Sequence, residues 1–232
     1  MRTIKYISLV VIIALMTGCA ASQISKGKAY KGFYQEQKPL TVLIMPPINK
    51  TTNVEAKEIF HSTMLIPVAN AGYYVIPPFL SMEILKKESA WDSEMFINGS
   101  LAKFNEIFGA DLALFTTITK WNKTVMANVI VEVEYVVKST RTNEVIYRRK
   151  GNINYDASVN AGGGGLIGLV ANVALSAINT AATKYVDIAK VCNQYTLQDL
   201  PAGKYSTKNV TDSIEFAGKP DFKVNLSSKY GY

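Results

Sequence analysis

The spacing of apolar and polar positions divides the chain into elements before any motif is considered. Leu40-Thr41-Val42-Leu43-Ile44-Met45 is a run dominated by apolar residues, the pattern of a strand covered on both faces, and Pro46-Pro47 ends it. Thr52 opens a predicted helix, with Glu55 three residues on at capping-box spacing. Phe60, Met64 and Val68 recur every fourth residue as its apolar stripe, Pro67 bends its last turn and Gly72 stops it. Tyr73-Tyr74-Val75-Ile76 predicts a second strand, again closed by a double proline, Pro77-Pro78. Strand, helix, strand with a short return is a βαβ unit, whose two strands are parallel neighbours.

Ser81 to Glu88 reads as a short helix, and Ser100 caps another in which Leu101, Phe104 and Phe108 share a face ahead of Gly109. Ala110 to Thr119 predicts a long buried strand. Val129, Val131, Val133, Tyr135 and Val137 then alternate with Glu132, Glu134 and Lys138, the period of two of a half-exposed antiparallel strand. A turn near Thr142-Asn143 leads to a last strand, Val145 to Tyr155. The expected fold class is therefore α/β: a mixed sheet with an N-terminal βαβ unit and an antiparallel meander, helices packed on the sheet.

The pattern changes after the meander. Gly162-Gly163-Gly164-Gly165 precedes Leu166 to Thr183, which carries no charge and dilutes its Leu, Ile and Val with Ala, Gly, Ser and Asn. This predicts a small-residue helix behind a glycine hinge, suited to close helix packing, self-association or membrane contact, and equally to burial against the domain's own sheet. Lys184 to Val191 is amphipathic, and Leu200 to Tyr232 reads as a polar, turn-rich tail.

The front end has a different logic. Arg2 and Lys5 precede an apolar run from Ile7 to Leu15, and Thr17-Gly18-Cys19 closes it, which is a secretory signal too short to span a bilayer. Small residues before a cysteine resemble the bacterial lipobox, with Met16 where Leu is usual. That resemblance implies cleavage before Cys19 and its acylation, which anchors the chain stably when two or more acyl chains are attached. Ala20, in place of Asp after the cysteine, resembles an outer-membrane address. The expected layout is a signal peptide over 1–18, a lipidated flexible tether over 19–38, the α/β domain over 39–160, the hinge and apolar helix over 161–199, and the tail over 200–232.

Cleavage leaves 214 of the 232 residues and lowers the formal charge from +7 to +5, since Arg2 and Lys5 leave with the signal. The remaining lysines and arginines are dispersed. The longest basic run, Arg148-Arg149-Lys150, lies in a strand, so nothing points to nucleic acid. With Cys19 consumed by lipid, Cys192 stands alone and reads as a small buried hydrophobe.

The search for chemistry is short. His61 is the only histidine, lies in the first helix, and has no Cys, Asp or Glu at metal-ligand spacing; it reads as solvated or partly packed. Neither a nucleophile elbow nor a Walker sequence is present. Asp111 reads as a turn or cap residue, Glu132 and Glu134 as solvated neighbours on one strand face, and the glycine run as a hinge without a phosphate-binding lysine. No catalytic, metal-binding or cofactor-binding residue is assigned, and the chain reads as a protein that is not an enzyme.

Five blocks in order carry a family resemblance: Val42 to Asn49, Pro67 to Val75, Leu101 to Leu114, Gly162 to Leu169, and Leu200-Pro201-x-Gly203-x-Tyr205. The chain resembles the bacterial outer-membrane lipoprotein family first noticed as a neisserial vaccine antigen, a domain of unknown function. The resemblance implies a periplasm-facing lipoprotein, often encoded beside a curli-secretion-channel-like lipoprotein, and a fold similar to the N-terminal domain of the periplasmic Tol component. It adds no catalytic residue; Cys19 alone matches a position with an assigned role. The expected function is an accessory or assembly component of a cell-envelope or secretion complex. Its expected partners are the membrane through Cys19, other envelope lipoproteins or a curli-channel-like complex, and further copies of itself. The alternative is a small-ligand or envelope-polymer binding protein, whose pocket Tyr73, Tyr74 and Trp121 would line.

Overall fold

A computed structural model describes residues 23–36, 39–124, 128–156 and 185–227. The signal peptide, Cys19, the glycine hinge and the helix expected over 166–183 lie outside the described residues. Seven strands form one mixed sheet: β1 (Thr41–Ile44), β2 (Ile48–Asn49), β3 (Tyr74–Val75), β4 (Leu112–Lys123), β5 (Asn128–Ser139), β6 (Val145–Asp156) and β7 (Asp221–Ser227). Their order is β3-β1-β4-β5-β6-β7, with β2 pairing β4 beyond the end of β1. β1 runs parallel to both β3 and β4, β4 to β6 form the antiparallel meander, and β7 adds parallel to β6. The α/β class, the βαβ unit and the meander all stand as the patterning indicated.

Side chains of β1 and β4 alternate between two cores, as the pleat requires. Val42, Ile44, Leu112 and Leu114 face one cluster, under α3 (Ala56–Thr63) and α7 (Tyr185–Leu197). Leu43, Met45, Ala113 and Phe115 face the other, under α5 (Pro78–Lys87) and α6 (Ala102–Phe108). Helices therefore cover both faces of the parallel half. On β5, β6 and β7 the second face carries an ionic ladder instead. Arg148 Nε lies 2.6 Å from Glu134 Oε1, and Lys150 Nζ lies 2.9 Å from Glu132 Oε1.

Prolines and glycines set the helix ends. α3 stops at Thr63 and α4 (Leu65–Asn70) restarts, because Pro67 has no N–H for the Thr63 carbonyl and its ring crowds that carbonyl. Gly109 closes α6 in the left-handed region at φ +62°.

Four expectations are corrected. The capping box at Thr52 does not form: α3 begins at Ala56, and Asn53 Oδ1 accepts from the Glu55 N–H at 3.1 Å. The tether expected over 19–38 is largely folded. α1 (Lys26–Ala29) and α2 (Lys31–Glu36) dock on the sheet, and Tyr30 and Phe33 enter the main core. The tail expected over 200–232 supplies buried Leu200 and Ala202, a 3-10 turn over Thr211–Ile214, and β7 at the sheet edge. Lys138, expected exposed, is buried beside a register shift and donates to the Ile97 carbonyl at 2.8 Å.

Candidate functional site

Among the described residues, those weighed for chemistry are held by the fold. His61 is buried, against expectation, because its helix turns it toward β1; its Nε2 lies 3.2 Å from the Ile44 carbonyl. A carbonyl only accepts, so Nε2 carries the proton and donates. Burial is the largest effect and lowers its pKa, the hydrogen bond to the Ile44 carbonyl opposes it in part, and the Lys57 ammonium adds a smaller lowering. Asp111 is the turn residue the sequence suggested. One oxygen accepts from the Leu40 and Thr41 amides at 2.9 and 3.2 Å and clamps the start of β1 to β4, and the other meets Arg141 Nη2 at 3.0 Å. Glu132 and Glu134 sit in the ionic ladder, where Lys150 holds Glu132 below the ordinary carboxylate range. Cys192 is buried in the main core, and burial pushes its thiol far up, away from the reactive thiolate.

The trio considered for a ligand pocket is not brought together. Tyr73 is buried and donates to the Pro201 carbonyl at 2.6 Å, Tyr74 stands exposed on edge strand β3, and Trp121 is buried edge-to-face between Phe60 and Tyr185. A cleft exists elsewhere, at the end of the sheet from which β1 and β4 start. It measures about 640 Å³ and is lined by Phe33, Tyr34, Asp111, Arg141, Lys204 and Val210 among others. Two cations against one carboxylate leave it with a positive balance. Val210 holds φ +67° on its wall, a strained conformation for a β-branched residue.

Sequence reasoning missed a buried polar seam beneath α7. Tyr135 donates to Asn193 Oδ1, and Asn193 Nδ2 donates in turn to Thr63 Oγ1 at 2.8 Å and the Phe60 carbonyl at 3.2 Å. Tyr147 donates to the Thr196 carbonyl at 2.7 Å, and Tyr30 donates to Asp199. Arg149, central in the longest basic run, is buried: its guanidinium donates to the Thr196, Tyr195 and Lys219 carbonyls and lies 4.5 Å over the Phe222 ring. Period-two alternation carried that signal, since residue 149 shares the inward face with Tyr147 and Ile153.

Among the described residues no group of three His, Cys, Asp or Glu could hold a metal ion, and no helix is long and apolar enough to cross a membrane. A curated relative, "Putative lipoprotein NMB1124/NMB1162" of Neisseria meningitidis serogroup B, is 26% identical over 114 residues, covering 49% of this chain and 53% of the relative. The chain thus matches about half the length of that relative. The crystal structure of lipoprotein GNA1162 from Neisseria meningitidis is similar with a TM-score of 0.48 and 21% identity, over 63% of this chain and all of that one. The C-terminal domain of LpoB from Salmonella enterica gives a TM-score of 0.36 and 12% identity, over 55% of this chain and 93% of that one. The model of the family described as "Putative lipoprotein GNA1162-like" matches residues 29–204, well over half of the chain, and the protein belongs to that family.

Proposed function

We propose that the protein is a non-catalytic lipoprotein, held through an acylated Cys19 in the outer membrane and facing the periplasm, where it serves as an accessory or assembly component of an envelope or secretion complex. Its partners are other envelope lipoproteins or a curli-channel-like complex, and further copies of itself. The observation that carries the assembly reading is the apolar group Tyr74, Phe79 and Leu80 at the β3 edge of the sheet, 53%, 76% and 54% exposed. Among the described residues β3 ends the sheet, and a strand edge beside large exposed apolar side chains is a surface that a protein partner covers. The engagement of His61, Asp111, Cys192 and the ladder carboxylates in the fold supports a protein without chemistry of its own. The test is a photo-crosslinking residue placed at position 79 in intact cells. Discrete adducts with envelope proteins are expected there and not at Arg148 on the ionic face; equal patterns at the two positions would sink the assembly reading.

A second reading, binding of a small ligand or envelope polymer, is favoured by the cleft at Arg141 and Lys204, whose volume lies in the usual ligand-site range of about 300–1,000 Å³. Titration of the purified protein with anionic envelope polysaccharide separates the two. Saturable binding abolished by Arg141→Ala with Lys204→Ala would support this reading, and its absence leaves assembly standing.

A further inference from the structure

The point at which the folded chain meets its leader is stapled in place. Ser25 bridges Phe216, the Ala217 amide donates to the Ile24 carbonyl at 2.8 Å, and the Lys26 amide donates to the Glu215 carbonyl at 2.8 Å. Gly27 lies flat against the 3-10 turn, where a Cβ would stand 3.0 Å from the Ser213 carbonyl oxygen. Around this staple Ile24, Ile214 and Phe216 are 53%, 84% and 63% exposed. The one acid among them, Glu215, is tied to Lys26 at 3.2 Å and Lys208 at 2.8 Å, so it opposes an apolar or anionic surface little. Lys28 and Lys219 stand exposed close by in the chain.

Chain length decides what can reach this patch. Ile24 lies five positions after Cys19, a reach of at most about 17 Å. A domain of this size is about 40 Å across. A tether of the length expected from sequence would let the domain turn freely; one this short cannot bring the far face to the anchor. We propose that Ile24, Ile214 and Phe216, flanked by Lys28 and Lys219, form a membrane-contact face that rests on the anionic lipid surface holding Cys19 and so fixes the orientation of the domain. This rests on the lipid-anchor reading given above.

The test uses the full-length protein purified from membranes and reconstituted into vesicles of phosphatidylethanolamine and phosphatidylglycerol. Mass spectrometry of the N-terminal peptide is read first: absence of acyl chains on Cys19 would remove the anchor, and the proposal with it. In acylated protein, Ile214→Cys and Asn225→Cys are each labelled with an environment-sensitive fluorophore, Cys192 being buried. Asn225 is exposed on β7 near the opposite end of the sheet. Headgroup nitroxide lipids should quench more than about half of the emission at position 214 and less than about a tenth at 225, as for side chains seated in the headgroup layer. A Phe216→Cys label should behave like position 214. Equal quenching at 214 and 225, or none at 214 in protein shown to be acylated, overturns the proposal. So does efficient 214-to-214 cross-linking between copies, which would make this face a self-contact.

Discussion

Gly72 adopts φ +93° at the end of α4, and a Cβ there would stand 2.4 Å from the Ser206 amide nitrogen. Gly203 approaches from the other side: its amide donates to the Ala71 carbonyl at 2.7 Å, and its own Cβ would meet the Gly72 oxygen at 2.4 Å. Two sequence blocks that looked independent, Pro67 to Val75 and Leu200 to Tyr205, are thus the two sides of one backbone contact. Gly203→Ala and Gly72→Ala should each cost about 2–4 kcal/mol and lower Tm by about 5–10 °C by circular dichroism. His61 gives a residue-scale pH dependence. Its folded pKa lies below the ordinary 6.5, so the unfolded chain takes up the proton first. The stability held by neutral His61 is complete above pH 6.5 and falls as the pH drops through its folded pKa, by at most about 1.4 kcal/mol per pH unit. Glu132 and Glu215, whose pKa values are lowered by Lys150 and by Lys208 with Lys26, lose their contribution only below 4.5, in a separate window. Denaturation midpoints should therefore decline as the pH falls below 6.5 in the native protein and stay level there in His61→Gln; a decline of equal slope in both would assign it elsewhere.

Among the elements, those with a strong local pattern were legible and those made by long-range partners were not. β1, β4, β5 and β6 follow directly from apolar runs and period-two alternation, and Gly72 and Gly109 mark helix ends because their φ values demand glycine. α1 and α2 are four and six residues long with no apolar stripe to announce them. Tyr30 and Lys26 find their partners at Asp199 and Glu215, 169 and 189 residues further on. β7 was hidden similarly: Phe222 lies over Gly151, at whose Cβ position its ring would be 2.5 Å away, and no local signal records that a ring will fill a glycine's gap. The same long-range logic makes Arg149 the fastener between β6, the end of α7 and the approach to β7. Arg149→Ala leaves the Thr196, Tyr195 and Lys219 carbonyls without this donor and removes the cation over Phe222. It should cost about 3 kcal/mol in chemical denaturation. Arg149→Lys should recover less than half of this, because an ammonium cannot fork to three carbonyls while lying flat on a ring.

At the scale of the whole molecule the two ends of the sheet lead to different parts of the chain. The membrane-contact face proposed above is linked to the end from which β6 starts, through the ring contact of Tyr30 with Tyr147, 5.2 Å between centroids. The chain leaves the sheet at the other end, after Asp156, and re-enters at Tyr185, whose ring meets Trp121 at 5.5 Å. Tyr147 and Tyr155 on β6 are about 26 Å apart at ordinary strand rise. The described chain thus breaks off after Asp156 and resumes at Tyr185 at the end of β6 away from Tyr147. A segment that packs on protein needs no return to the bilayer of the anchor proposed above. The expected outcome is that Val173→Asp or Ile178→Asp leaves the acylated protein in the membrane fraction while reducing its cross-linked complexes or its thermal stability. The contrary result is equally concrete: a chain lacking the leader and Cys19 that requires detergent, and loses that requirement without loss of Tm when 166–183 are deleted, would make the stretch a membrane element that does not pack on protein.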